Sequence, residues 1–222
     1  MLERQPGGTG AGAGAGTKTW RSLLAVLATL SVAAALLGCG STKKSVAFVG
    51  STLEPAQPEP ALNTLHNYDG APFDLAAERG KAVFVTFIYS HCPDVCPLIA
   101  SNLHVAYSEM PADTQSKVAI VAVSADPRGD TPRAVAAFVK KHALTGEAHY
   151  LIGSAHTLAR VWEAWKVGSE RDASNPELVN HSALIYGIGA NGKIYTVYPS
   201  NFLPSQIVHD VAPLLSRTAA GS

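Results

Sequence analysis

Apolar positions in this chain fall into two patterns, unbroken runs and helical periods. Ala82 to Tyr89 (AVFVTFIY) is a continuous β-branched and aromatic run, as expected of a central strand buried on both faces. Val118 to Val123 (VAIVAV) reads as a second such strand. Between them, Leu98 to Tyr107 has helical spacing, with Leu98, Leu103 and Tyr107 as the predicted buried stripe. Thr131-Pro132 supplies a helix N-cap with proline at the first helical position, and Val135, Phe138 and Val139 form the inward face of that helix. Another helix is predicted from about His156 to Trp165. Leu184 to Ile188 and Lys193 to Tyr198 flank Asn191-Gly192, a strong hairpin signal. Pro204 opens a last helix through Ile207, Val208, Val211 and Leu215. Upstream, Asn63 to Tyr68 with the Asp69-Gly70 turn reads as a hairpin, and Asp74 as the cap of a short helix through Glu78.

Strand, helix, strand, helix, hairpin and terminal helix is the order of an α/β domain of thioredoxin-like type, with a central mixed sheet flanked by helices. In such sheets ligands gather where strand carboxyl ends meet helix amino ends.

Residues 62–222 are assigned to this domain. Residues 1–38 are assigned to a disordered segment and a signal: residues 1–19 are rich in glycine, alanine and threonine, including the alternation from Gly10 to Gly16, and offer no periodic apolar face to bury. Lys18 and Arg21, the apolar run Leu23 to Leu37 and the small residues Gly38-Cys39-Gly40-Ser41 have the three parts of a secretory signal. Leu36-Leu37-Gly38-Cys39 resembles a lipoprotein processing site, which implies a lipid on Cys39; an uncleaved signal anchor is the alternative. Either way the expected location is the cell envelope, on the extracytoplasmic face of a bacterial membrane. Residues 39–61, polar and proline-bearing, read as lipid anchor and spacer.

Composition narrows the function. Seventeen basic and seventeen acidic residues cancel, with no dense basic stripe, so nucleic acid is an unsuitable partner. No nucleophile-elbow, Walker or Rossmann glycine pattern occurs in a fitting context, which leaves hydrolase and nucleotide chemistry unsupported.

There are three cysteines. With Cys39 at the anchor, Cys92 and Cys96 are the only thiols of the domain. They follow the first buried run directly, in Cys92-Pro93-Asp94-Val95-Cys96-Pro97. Thiols four apart at a helix start share one face, so both sulfurs can reach one metal ion or each other. The positive helix end favours the thiolate that metal binding and exchange both require. A merely structural disulfide would close a tiny loop and stabilise little. Thioredoxin-type exchange uses two intervening residues rather than three, which favours metal without excluding exchange.

Two thiolates call for a third ligand. His91 adjoins Cys92 but points to the opposite face of an extended segment. His66, His104, His142, His149, His156 and His209 fall in turns or on helices. His181, in Leu178-Val179-Asn180-His181-Ser182 ahead of the predicted hairpin, lies in the loop that faces the cysteine motif in a thioredoxin-like domain. Two sulfurs and an imidazole suit copper, with Zn²⁺ the chief competitor. Trp162 and Trp165 read as packing residues, and Asp126 to Pro132 as a turn with a helix cap.

Three separated stretches resemble one family: Tyr89-Ser90-His91-Cys92-Pro93-Asp94-Val95-Cys96-Pro97, Val123-Ser124-Ala125-Asp126-Pro127 with Asp130-Thr131-Pro132, and Asn180-His181-Ser182 with the Tyr186 hairpin. They are similar to the Sco/SenC proteins, membrane-tethered, thioredoxin-like copper proteins needed to assemble cytochrome c oxidase. The resemblance implies that Cys92, Cys96 and His181 are copper ligands. It further implies delivery of copper to the dinuclear copper site of the oxidase subunit, with another copper chaperone or a thiol reductant as further partners. The alternative it carries is a thiol-disulfide oxidoreductase that reduces the cysteines of that copper site, with Cys92 as nucleophile and Cys96 resolving the mixed disulfide. Asn180 stands where the family commonly has an acid, and Arg128-Gly129 departs from the usual filling between the two aspartates.

Overall fold

A computed structural model describes residues 46–175 and 178–218. Cys39 and the signal-like segment lie outside the described residues.

The two predicted buried runs are the central strands, β3 (Ala82–Ile88) and β4 (Val118–Ser124), every residue of each being buried. They pair in parallel from Ala82 opposite Val118 to Ile88 opposite Ser124. β5 (Ala148–Ile152) continues the parallel set beyond β4, and β2 (His66–Asn67) closes that edge antiparallel to it. On the other side of β3 lie β8 (Ile185–Ile188) and β9 (Lys193–Tyr198), an antiparallel hairpin whose turn uses Gly192 at φ 74°. β1 (Ser51–Pro58) completes a seven-stranded mixed sheet in the order β1-β9-β8-β3-β4-β5-β2.

β1 corrects the spacer assigned to residues 39–61: its Ser51 to Pro58 part pairs antiparallel with β9. Two prolines give it the composition of a linker, yet an edge strand tolerates them because one side of its backbone needs no partner. The register shift between Thr52 and Gln57 accommodates the disruption.

The helices among the described residues are α1 (Val95–Ser108), α2 (Ala112–Gln115), α3 (Pro132–Lys141), α4 (Ala155–Trp165) and α5 (Pro204–Leu215). The alternation along β3 divides the core. Phe84 and Ile88 pack with Ile99, Leu103, Val135, Phe138, Val211 and Leu214 of α1, α3 and α5. Val83, Val85 and Phe87 face Leu158, Val161 and Trp165 of α4. Caps follow the sequence: Asp74 accepts from Ala76 N–H at a 3-10 turn (Leu75–Glu78), Thr131 from Ala134 N–H, and Ser154 from Thr157 N–H.

The stripe predicted for α1 is shifted. Cys96, Ile99, Ala100, Leu103 and Ala106 face inward, whereas Leu98 is 46% exposed. The helix begins at Val95, and turning Cys96 toward the sheet leaves Leu98 on the outer face. A two-stranded ribbon, β6 (Ser169–Arg171) with β7 (Val179–His181), stands apart from the main sheet.

Candidate metal centre

β3 delivers the chain to Tyr89-Ser90-His91-Cys92, and α1 starts at Val95. The first amides of a helix lack intrahelical partners. Asp94 occupies the N-cap position without a side-chain cap; instead Cys96 N–H points at Cys92 Sγ, 3.4 Å away. The sulfur takes the capping role, and negative charge on it faces the positive end of the helix.

Both thiols are free and buried. The Cys96 thiol donates to Cys92, and backbone groups of Asp94 and Cys96 with the Tyr89 hydroxyl assist, so the Cys92 pKa is lowered to about 6 against the opposing effect of burial. Cys96 moves the opposite way, first because its proton is engaged by Cys92 and then because it is buried. At neutral pH Cys92 is the thiolate and Cys96 the thiol.

His181 ends β7, and its Nε2 lies 3.8 Å from Cys96 Sγ. Burial holds the imidazole below its ordinary pKa, offset in part by the Ser182 backbone, so the ring is neutral near pH 7 and keeps a lone pair for a metal. Its Nδ1 is buried with no partner in hydrogen-bond geometry. A cavity of about 330 Å³ opens at this point, lined by Tyr89, Cys92, Pro93, Leu178, Asn180 and His181. No three His, Cys, Asp or Glu side chains among the described residues are already gathered at metal-binding separation. The donor set of two sulfurs and a neutral imidazole nonetheless fits a soft metal, which would draw Cys92, Cys96 and His181 inward by a short closure.

Tyr89 touches both halves of the site. Its hydroxyl accepts Val179 N–H at 3.4 Å, and its ring meets His181 edge-on at 5.6 Å between centroids. Burial, reinforced by the Cys92 thiolate, pushes the Tyr89 pKa up to about 12, so the phenol remains a donor toward Cys92.

Two aspartates that read as turn residues in the sequence fasten the site. Buried Asp130 accepts Ser90 N–H at 2.7 Å and the Ser124 hydroxyl at 2.6 Å, which fixes the loop leading to Cys92. Burial raises its pKa against those hydrogen bonds. Asp126 accepts Arg128 N–H at 3.0 Å and forms an ion pair with Arg171 of β6. With the Ser169 hydroxyl donating to Ala125 O at 3.0 Å, that pair secures the ribbon carrying His181. One loop therefore holds both halves of the centre, through carboxylates placed directly after β4; acids at a strand's carboxyl end were the available signal.

The other histidines stand elsewhere. His91 is exposed and its Nδ1 lies 3.0 Å from Ser90 Oγ. His104 pairs with Glu147 at 2.8 Å, His142 contacts Ser101 at 3.2 Å and His209 contacts Asp210 at 2.7 Å. His149 packs on Phe73 at 4.9 Å, and His66 and His156 are exposed. Asn180, on the cavity lining, donates its side-chain amide to Asp172, 3.3 Å away. Trp162 donates its indole N–H to Ser124 O at 3.0 Å, and Trp165 is buried against Phe87 and Tyr186, so both serve packing.

A dithiol at the amino end of a helix, following the central strand of a mixed sheet and faced by a histidine from a separate ribbon, defines a thioredoxin-like protein with a soft-ligand centre. The chain belongs to the SCO1/SenC family, whose model matches residues 43–216. It is 24% identical over 159 residues to the mitochondrial SCO1 homolog of Mus musculus, covering 64% of this chain and 55% of that protein's length. Among solved structures it is similar to apo Sco1 of Thermus thermophilus, at 25% identity and TM-score 0.65 over 76% of this chain and 97% of that one. A SCO1/SenC family lipoprotein of Bacillus anthracis matches at 25% identity and TM-score 0.59, over 71% and 98%. Copper-bound ScoI of Arabidopsis thaliana shares the fold at 23% identity and TM-score 0.60, over 76% and 99%. Among the described residues no helix is long and apolar enough to cross a membrane.

Proposed function

We infer that this protein is a membrane-tethered copper chaperone of the cell envelope, which binds copper through Cys92, Cys96 and His181 and delivers it to the dinuclear copper site of cytochrome c oxidase. The observation that carries this reading is His181 Nε2 at 3.8 Å from Cys96 Sγ, with both cysteines free. The copper-bound state of a family member and the lipoprotein nature of another support the cargo and the Cys39 anchor. Copper is cargo here. Cys92 arrives as thiolate, Cys96 releases its proton on binding, and the neutral imidazole completes the set. Ligand exchange with a partner's thiols then moves the ion without changing its charge.

The test is copper stoichiometry and X-ray absorption on reduced protein. One copper with two sulfur scatterers and one nitrogen scatterer is expected; sulfur alone, or full uptake by disulfide-oxidised protein, would overturn the assignment.

The acidity of Cys92 favours a second reading, reduction of the acceptor's cysteines before loading. In that step the Cys92 thiolate attacks the partner disulfide and releases one partner thiol. Cys96 then loses its proton and displaces the second, leaving a Cys92–Cys96 disulfide and a reduced partner. His181 separates the two readings, since exchange does not require it. A His181→Ala variant that fails to hold copper but still reduces an oxidised acceptor domain at the full rate would assign the second activity.

A further inference from the structure

Residues 46–50, upstream of β1, are built into the domain, and they fix which of its poles the anchoring chain leaves. Along β9 the levels are set by pairing: Tyr198 stands opposite Ile185 and Ile194 opposite Ile188, while Thr86 and Val83 of β3 match Ile185 and Ile188. The carboxyl end of β3, with the cysteines beyond it, is thus the Tyr198 pole. The Asn191–Gly192 turn marks the opposite pole, where α5 also ends, as Arg217 O accepts Asn191 N–H at 2.8 Å.

β1 begins at the thiol pole, with Ser51 opposite Val197. The residues before it double back. Val49 and Gly50 donate their N–H groups to the fully buried Asp210 carboxylate at 2.9 and 3.0 Å, midway along α5. Gly50 is required there, since a Cβ would stand 2.3 Å from Thr196 Oγ1. Phe48 lies further down, its ring 6.0 Å from that of Tyr195, with the Arg217 guanidinium 5.4 Å above it. Tyr195 in turn contacts Asn191 of the turn at 2.9 Å.

We propose that the anchoring chain leaves from the turn pole, so that the thiol pole is held pointing away from the membrane. The proposal rests on the tethering described above. Nine residue-to-residue steps lead from Cys39 to Phe48, a leash of at most about 30 Å. The seven residues of β3 add about 23 Å between poles. The site therefore reaches no more than roughly 50 Å above the surface. Its partner is a protein of the same membrane whose acceptor thiols stand on a domain within that reach.

The test places a fluorescent amino acid at Pro93, on the thiol pole, or at Lys193, on the turn pole, and measures energy transfer to acceptor-labelled headgroups in phosphatidylcholine vesicles. Two full-chain preparations are compared. One is lipid-modified at Cys39; the other is Cys39→Ala with a hexahistidine inserted after Gly40, held on nickel-chelating lipid. Transfer from position 193 at least about twofold above that from position 93 is expected in both. Equal transfer, or the reverse order, in the histidine-held preparation overturns the polarity. Failure of only the first preparation to float with vesicles, with the order kept in the second, refutes lipidation and upholds the polarity.

Discussion

His181 Nε2 and Cys96 Sγ, 85 residues apart in sequence, stand 3.8 Å apart, with His181 on the lining of a cavity. Nothing in the main sheet requires that proximity, because His181 rides on a ribbon outside it. Replacing it by alanine should therefore leave the fold intact and act on metal. Copper affinity should fall at least about 100-fold, more than the loss of an outer-shell partner brings, while the urea midpoint moves little. Competition titration against a copper chelator, with denaturation of the apo protein in parallel, checks both.

The unequal thiols give a pH signature. With Cys92 held at about 6, alkylation of the reduced protein should already be fast at pH 7, with a midpoint near 6 instead of the usual ~8.5. An acid whose folded pKa is depressed contributes stability that is fully present above its unfolded pKa and lost as pH falls through the folded one. The reduced protein should thus gain stability from pH 6 to ~8.5, a slope that Cys92→Ser removes. Cys96, shifted upward, opposes only above that window, where the unfolded thiol would ionise. Stopped-flow alkylation and urea melts across pH 5 to 9 measure the two effects.

The three proposed ligands are legible in the sequence because their signals are local: spacing four at a helix start, and one histidine just ahead of a hairpin. The supports are not. Asp130 acts on Ser90, 40 residues away, and Asp126 on Arg171, 45 away, so no window of sequence contains both partners. β1 was hidden by its prolines, which argue against a strand until the strand is known to lie at an edge. Period alone puts Leu98 inward; the start of α1 at Val95 rotates it out. β5 and the β6–β7 ribbon, short and mixed in polarity, carry too little periodicity to register.

The Asp126–Arg171 pair should govern the ribbon without touching metal. Asp126→Asn keeps the acceptor oxygen for Arg128 N–H but removes the charge facing Arg171. Copper affinity should drop by about 10-fold, chiefly through faster release, with thiol content and alkylation rate unchanged. Chelator-driven release kinetics report the first effect and thiol titration the second. An Arg171→Lys variant, which keeps a cation opposite Asp126, should lose less than Asp126→Asn if charge alone fixes the ribbon.

Asp210 should contribute to stability more than any carboxylate near the metal centre. Fully buried, it accepts Val49 and Gly50 N–H and the Tyr198 hydroxyl at 2.7 Å, and contacts His209. Asp210→Ala leaves two part-buried amides and a buried phenol without their acceptor, a cost of about 3 kcal/mol. Asp210→Asn, which keeps an acceptor oxygen, should lose about half of that. Because the partners lie upstream of β1 and on β9, the Ala variant should also expose residues 46–50 to hydrogen exchange while copper affinity per folded molecule stays the same. Urea denaturation gives the energy, and exchange at Val49 and Gly50 tells release of this segment from general unfolding.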